Sequence, residues 1–439
     1  MSKHIRLEEL YSAFKKAEQK ICTDTRKIEQ GAIFFALKGP NFNANTLAES
    51  AVNAGAALAI VDEEVYCTNA SIKCVSDVLQ TLQQLANHHR KQFSIPFLAI
   101  TGSNGKTTNK ELIHAVLSRK FNTLATEGNL NNHIGVPLTL LKVSQSHEFA
   151  IIEMGANHQG EIQDLCKIAE PDYGLITNIG KAHLEGFGGL EGVKKGKSEM
   201  YRFIKDRNGK VFVNGDDDTL NELAFNNDKI TYGCKKLYDV IGKDQTNSEM
   251  VSFKFTSRYG DKDWTKRPLI KTQILGGYNF INCLAATCVG FYFKVDEGDI
   301  QAALESYVPQ MNRSQLLQTQ QNSLILDAYN ANPNSMKAAI DNFAKHPAQN
   351  KWLMLGDMFE LGEYSHEEHQ KVVDLLIEKH FSQVYLVGKE FARCSGHPYT
   401  CFGNTSECLE FLKAHPVTHA TILIKGSRSM KMETLREVL

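Results

Sequence analysis

Short apolar runs alternate with amphipathic stretches along most of this chain, and that alternation predicts an α/β protein. In a first region, residues 1–93, the run Ala32-Ile33-Phe34-Phe35-Ala36-Leu37 reads as a strand. Residues 48–54 read as a helix, and Ala56-Ala57-Leu58-Ala59-Ile60-Val61 as a second strand. Residues 78–93 read as a connecting helix, and Pro96 opens the next strand. In a second region, 94–308, apolar runs recur at Phe97-Leu98-Ala99-Ile100, Phe149-Ala150-Ile151-Ile152, Tyr173-Gly174-Leu175-Ile176 and Val211-Phe212-Val213. Such runs are buried on both faces, which implies a parallel sheet covered by helices. Residues 229–275 are richer in β-formers and turn residues, and antiparallel strands are expected there. A third region, 309–439, repeats strand then helix, with strands expected at 323–326, 351–355, 383–387 and 420–424. These end at Asp327, Gly356-Asp357, Gly388-Lys389 and Lys425-Gly426-Ser427. Ligands of open α/β sheets bind beyond the carboxyl ends of strands, so the four ends mark one face of a cleft.

Between the strand at 97–100 and a helix expected at 109–120 lies Thr101-Gly102-Ser103-Asn104-Gly105-Lys106-Thr107-Thr108. Strand, glycine loop, Lys-Thr and helix is the arrangement that cradles a nucleoside triphosphate. Backbone N–H groups and the helix N-terminus face the phosphates, Lys adds a point charge, and the Thr hydroxyl can ligate Mg²⁺. The common pattern carries a further Gly where Ile100 stands. The loop is therefore the shorter TGxxGKT form, which counts against ordinary GTPases and most kinases.

Length and composition narrow the picture. A chain of 439 residues calls for several domains, and 42% hydrophobic with 23% charged residues is ordinary for a soluble core. A net charge of −1 gives no electrostatic case for nucleic acid or an anionic membrane. No apolar run approaches the roughly 20 residues that span a bilayer, and residues 1–9 lack a signal-peptide core. A cytoplasmic protein without stable membrane insertion is expected. The ten cysteines form no CxxC pair and are expected to be free thiols. His366-Glu367-Glu368-His369 has i+3 rather than i+4 histidine spacing, so it reads as a solvated helix start capped by Ser365 rather than a zinc motif.

Four further features admit two readings each. Glu153 follows the strand at 149–152 and suits either a helix start or a Mg²⁺-holding carboxylate. His183 lies in Gly180-Lys181-Ala182-His183-Leu184-Glu185-Gly186-Phe187, either packing or belonging to a shaped glycine-rich loop. Lys194-Lys195-Gly196-Lys197-Ser198-Glu199 reads most simply as a solvated basic face. Gly128-Asn129-Leu130-Asn131-Asn132-His133-Ile134-Gly135-Val136-Pro137 is either a set of turns or a row of amides facing a polar ligand.

The ordered set TGSNGKTT, GNLNNHIGVP, IEMGANHQGEI, AHLEGFGG, GGYNFINCLAA, DAYNANPNSM, GDMFELGEYSHEEH and KGSRSMKME resembles the Mur ligase family, and within it the branch that adds a dipeptide. The resemblance implies three domains: a small α/β UDP-substrate domain (1–93), a central P-loop parallel-sheet ATPase domain (94–308) and a C-terminal Rossmann-like domain (309–439). It implies an ATP-dependent ligase of peptidoglycan synthesis that joins D-alanyl-D-alanine to UDP-N-acetylmuramoyl-tripeptide through an acyl phosphate. The alternatives are an amino-acid-adding Mur ligase, a folylpolyglutamate synthase-like ligase, or a module that uses ATP as a switch. A monomer is expected, with no nucleic acid partner. By the resemblance, Gly102, Ser103, Asn104, Gly105, Lys106, Thr107 and Thr108 would bind ATP. Thr107, Glu153, His183 and Lys197, the last as a carbamate, would hold Mg²⁺. Lys106, His183, Lys197 and Arg313, in Met311-Asn312-Arg313-Ser314, would be catalytic, with Arg313 reaching the phosphates. Asn279 and Asn282 would meet adenine and Asp327 the ribose; the family's His before the first of these asparagines is Tyr278 here. Thr25, Arg26, Asn131, Asn132, Asn330, Asn332, Lys425, Ser427 and Arg428 would line the substrates. Arg26 and the Gly39 loop suit a diphosphate. Asn41-Phe42-Asn43-Ala44-Asn45 stands where the family often has Gly-His-Asp.

Overall fold

The computed structural model describes residues 4–246, 249–309 and 313–439. Met1 to Lys3 and the Met311-Asn312 pair read above lie outside the described residues. The chain divides into two compact units: Met1–Ala99 with Phe121–Gly155 and Glu161–Tyr173, and Ile100–Lys120 with Ala156–Gly160 and Gly174–Leu439. Residues expected in the central region thus contribute to both units, and all of 309–439 falls in the second.

In the first unit, four parallel strands pair in the order Ile21–Cys22, Ile33–Phe35, Leu58–Val61, Ile72–Cys74. The runs at 32–37 and 56–61 are the two inner strands, and Ile33, Phe34, Phe35, Ile60 and Val61 are fully buried. The connecting helix is Val78–Arg90. Asp77 caps it by accepting the Gln80 N–H at 2.7 Å, and His88, His89 and Arg90 close its last turn, where the helix dipole favours cations. Its buried positions, Val78, Leu82, Leu85, Ala86 and His89, follow helical spacing. Arg90 is buried too. Its guanidinium lies 3.7 Å from the Phe97 ring centre and donates to the carbonyls of Phe93, Ala169 and Glu170. Phe149–Glu153 pairs in parallel with Thr123–Ala125.

In the second unit, strands Lys210–Asn214 and Asp228–Gly233 are parallel, and Val240–Asp244 continues parallel through only two residue pairs. Met250–Ser257 and Ile270–Leu275 then add antiparallel strands. The antiparallel expectation for 229–275 therefore holds for its second half only. The carboxy-terminal sheet has the order Gln315–Gln318, Ser323–Asp327, Thr421–Lys425, Lys351–Gly356, Val384–Val387, Thr400–Phe402. All its pairings are parallel except that of the Gln315–Gln318 edge. The four expected strands form its centre, and Asp327 sits level with Lys425 in register. The two edge strands escape the sequence pattern because they are short and half exposed.

Two local readings need correction. Ser365 is the first residue of the helix Ser365–Glu378 rather than its cap. His369 is fully buried rather than solvated: its Nδ1 faces the Ser365 carbonyl at 2.7 Å, and its Nε2 accepts the Met358 N–H at 3.0 Å. The ten cysteines are free, and burial pushes the Cys283 and Cys408 thiols up to about 12, which keeps them unreactive. Among the described residues no helix is long and apolar enough to cross a membrane.

Candidate active site

The glycine loop follows strand Phe97–Thr101 and opens helix Lys106–Leu117. Ile100, which replaces the usual first glycine, is a fully buried strand residue. The chain therefore stays extended for one residue longer before it turns. The turn itself needs Gly102, at φ 145°: a Cβ there would lie 1.9 Å from the Thr177 Oγ1. Gly105, at φ 76°, sits left-handed immediately before the helix.

Residues 177–180 hold this loop by a run of hydrogen bonds. Thr177 N–H donates to Thr101 O at 2.9 Å and Ser103 N–H to Asn178 O at 3.0 Å. The Asn178 side chain brackets Asn104, accepting its N–H and donating to its carbonyl, both at 3.0 Å, while Thr177 Oγ1 donates to that carbonyl at 2.6 Å. Ser103 Oγ donates to Gly180 O at 3.0 Å and accepts Gly180 N–H at 2.9 Å. Lys106 Nζ folds back on Gly102 O at 2.8 Å, and Thr107 is buried. The loop is thus shaped by the protein itself, and the N-terminus of helix Lys106–Leu117 follows it directly.

An amide chain runs on from the helix. Asn109 Nδ2 donates to Asn282 Oδ1 at 2.8 Å, Asn282 Nδ2 to Asn279 Oδ1 at 2.7 Å, and Asn279 Nδ2 to Leu275 O at 2.8 Å. Asn279 and Asn282, expected at adenine, here bond each other. Asn109, which the sequence reading passed over, anchors them to Gly105 O at 2.9 Å. Tyr278 OH meets Ser314 Oγ at 2.9 Å, and Ser314 N–H donates to Asp327 Oδ1 at 3.1 Å.

The carboxy-terminal strand ends bring several expected residues together. Lys425, almost fully buried, donates to Asp327 Oδ2 at 2.5 Å and to Asn330 O at 3.3 Å. Two residues expected at different ligands are therefore an ion pair. Arg313 and Arg428 stack on the Tyr329 ring at 3.5 and 4.9 Å, so this ring holds both guanidinium groups. Asn332 caps helix Pro333–Ala344 and also donates to the Asn104 side chain of the phosphate loop at 2.7 Å. Ser427 Oγ accepts the Phe359 N–H at 2.9 Å.

His183 stands in a left-handed conformation, φ 53°, before the short helix Leu184–Phe187. Its Nδ1 pairs with the Glu360 carboxylate. Bonding to His183 holds the exposed Glu360 carboxyl below the usual carboxylate range, against the partial desolvation that raises it. The basic run at 194–197 divides: Lys195 is exposed, Lys194 pairs with Glu191 at 2.6 Å, and Lys197 is fully buried with its ammonium 5.1 Å from the Phe187 ring centre. The solvated-face reading fails for Lys197 because Gly192 and Gly196 let its helix press against Phe187.

In the first unit, Glu153 is buried, and Asn131 Nδ2 donates to its Oε1 at 2.7 Å. Asn132 instead caps a turn, accepting the N–H groups of Ile134 and Gly135 at 3.1 and 2.9 Å. Asn132 follows the turn reading of that loop, while the Asn131 amide faces a protein carboxylate. Thr25 and Arg26 lie on a short turn, and Arg26 grips Asp24 through two hydrogen bonds of 2.9 and 2.7 Å. Lys38 beside the Gly39 loop pairs with Asp62 and Glu63, both at 2.8 Å.

Among the described residues no three His, Cys, Asp or Glu side chains gather as a metal cage. Mg²⁺ keeps several waters and phosphate oxygens and takes only one or two protein carboxylates, so it needs no such cage. Within the second unit the Thr107 hydroxyl and the His183 imidazole, and within the first the buried Glu153 carboxylate, are each donor types that Mg²⁺ accepts.

Residues 100–290 match the Mur ligase middle domain, and residues 312–428 match the Mur ligase, glutamate ligase domain. A UDP-N-acetylmuramoyl-tripeptide--D-alanyl-D-alanine ligase of Haemophilus influenzae is 37% identical over 94% of this chain and 92% of its own length. Among solved structures, a MurF of Acinetobacter baumannii superposes with a TM-score of 0.86 at 32% identity, covering 97% of both chains. A MurF ligase of Thermotoga maritima in complex with ADP superposes with a TM-score of 0.84 at 26% identity, covering 96% of this chain and 97% of its own.

Proposed function

The chain belongs to the Mur ligase family, and on that premise we propose that it is the ATP-dependent ligase that joins D-alanyl-D-alanine to UDP-N-acetylmuramoyl-tripeptide. The observation that carries this reading is identity above 30% to a ligase of that name across nearly the whole of both chains. The pre-shaped phosphate loop supports it from the chemistry. A carboxylate is a poor electrophile until one oxygen becomes a leaving group. Its oxygen attacks the γ-phosphorus of ATP, ADP departs, and an acyl phosphate forms. The dipeptide amine then attacks the acyl carbon and loses a proton, and the tetrahedral species expels phosphate to leave an amide.

Lys106 and the N-terminus of helix Lys106–Leu117 would hold the β- and γ-phosphates, where negative charge shifts during transfer. Thr107, His183 and a carbamylated Lys197 in the second unit, and Glu153 in the first, would hold Mg²⁺. When bound, that ion neutralises phosphate charge as the bond to the leaving ADP breaks. Arg313, Asn279, Asn282 and Asp327 would serve ATP, and Asn330, Asn332, Lys425, Ser427 and Arg428 the incoming dipeptide. Thr25, Arg26, Asn131 and Asn132 would serve the UDP substrate. This reading takes the three domains as 1–93, 94–308 and 309–439 of a cytoplasmic monomer.

Phosphate release from ATP tests the proposal. It should require UDP-N-acetylmuramoyl-tripeptide and D-alanyl-D-alanine together; equal turnover with a single amino acid would move the chain to another branch of the family. Lys197→Ala should lose most activity and recover part of it with added small carboxylates. Undiminished activity would refute the carbamate.

A further inference from the structure

His183 and Glu360 are 177 residues apart, and both occupy the left-handed backbone region that non-glycine residues rarely adopt, at φ 53° and 63°. Their side chains meet there, with Nδ1 against the Glu360 carboxylate. Among the described residues the His183 Nε2 has no hydrogen-bond partner. The segment that delivers Glu360 is fixed at three successive backbone donors. Asp357 N–H bonds Val387 O at 3.0 Å, Met358 N–H bonds the buried His369 Nε2 at 3.0 Å, and Phe359 N–H bonds Ser427 Oγ at 2.9 Å. The Asp357 carboxylate, itself buried, adds the N–H groups of Glu390 and Phe391 at 3.0 Å each. Glu360 is therefore carried on an arm clamped to the carboxy-terminal sheet.

The loop around His183 is gripped at neighbouring points by the same part of the chain. Lys181 N–H donates to Asn334 Oδ1 at 2.8 Å, and Lys181 Nζ to Glu368 Oε1 at 2.6 Å. Glu185 N–H reaches Glu360 O at 3.4 Å. Gly362, also left-handed at φ 55°, lies so near Glu185 that a Cβ would come within 3.1 Å of it.

We propose that Glu360 is a positioning residue: by accepting the Nδ1–H of His183 it fixes the tautomer whose Nε2 lone pair can bind a divalent cation. A histidine ligand is oriented in this way when its other ring nitrogen donates to a carboxylate. The cation's affinity then depends on the seating of the carboxy-terminal sheet against residues 181–185, because the arm holding Glu360 belongs to that sheet. The proposal rests on the reading of His183 as a metal ligand.

The test uses the full-length protein with ¹⁵N-labelled histidine at pH 8, without nucleotide or metal, and a Mn²⁺ titration followed by electron paramagnetic resonance. Wild type should show His183 as the Nδ1–H tautomer. Glu360→Ala, and Glu360→Gly, which the left-handed backbone accommodates, should shift it towards Nε2–H. Both should raise the Mn²⁺ or Mg²⁺ concentration for half-saturation on the order of tenfold, with kcat at saturating metal little changed. Glu360→Gln, which keeps an acceptor oxygen, should recover part of the metal affinity. An unchanged tautomer, or unchanged metal affinity in both Glu360→Ala and Glu360→Gly, overturns the proposal. His183→Ala separates the two readings: if it binds Mn²⁺ as wild type does, the metal reading of His183 fails, whereas the tautomer result judges Glu360 independently.

Discussion

Two loops of this chain are expected to meet phosphate, and they are built on different plans. The loop at 101–108 owes its shape to neutral partners: backbone carbonyls, the Thr177 hydroxyl and the Asn178 amide. The turn at 24–26 and the segment near Gly39 instead tie up their cations in acid pairs, Arg26 with Asp24 and Lys38 with Asp62 and Glu63. A phosphate arriving at the first would meet a backbone already shaped, and would draw Lys106 only from a neutral backbone carbonyl. A diphosphate arriving at the second must draw a guanidinium or ammonium away from a carboxylate. Affinity at the first is thus a matter of geometry, and at the second a matter of exchange between ion pairs.

The largest expected effect tests geometry. Gly102→Ala would drive a methyl into the Thr177 hydroxyl and should lower phosphate release by at least about a hundredfold, as does losing a preorganised donor. The same protein should keep its far-ultraviolet circular dichroism; activity within twofold of wild type would break the comparison. Asn104→Ala removes the acceptor of the Asn332 amide, 228 residues away in sequence, and should raise the KM for ATP about tenfold while KM for the UDP substrate stays put.

Smaller effects belong to the other loop. Asp24→Asn frees Arg26 and should lower the KM for the UDP substrate a few-fold, measured by the same assay at low salt. A raised KM would mean that the pair, not the freed cation, is what the substrate needs. Smallest is the titration of Asp24 itself. Bonding to Arg26 lowers its carboxyl to about 2. A lowered carboxyl stabilises the fold above the unfolded value near 4 and loses that contribution as pH falls through about 2. Because the pair is exposed, the effect on melting should be slight and should vanish in high salt. Carbon-13 titration should find the midpoint near 2 in wild type and near the ordinary value in Arg26→Ala.

The same contrast explains what could be read from the sequence. The phosphate loop was legible because strand, glycines, Lys106 and helix are contiguous. Its partners Thr177, Asn178 and Gly180 were not, since a threonine, an asparagine and a glycine some 75 residues on carry no periodic signal. The inner strands of the carboxy-terminal sheet were legible as apolar runs, whereas Gln315–Gln318 and Thr400–Phe402 alternate too briefly to register. Residue roles blurred where polar side chains satisfy each other. Asn279 and Asn282 share one amide chain, and Asp327 and Lys425 one ion pair, so a residue type suited to a ligand was equally suited to a neighbour. Lys197 was singled out among three lysines by resemblance alone; burial distinguishes it in the fold.

The Ser103 hydroxyl, which both gives and takes a hydrogen bond with Gly180, has a consequence for binding cost. With the loop backbone already immobilised, a nucleotide has little ordering entropy left to overcome there. ATP association should therefore leave the exchange rates of the loop amides nearly unchanged: the amide protons of Ser103, Asn104 and Gly180 should already exchange slowly in the empty protein.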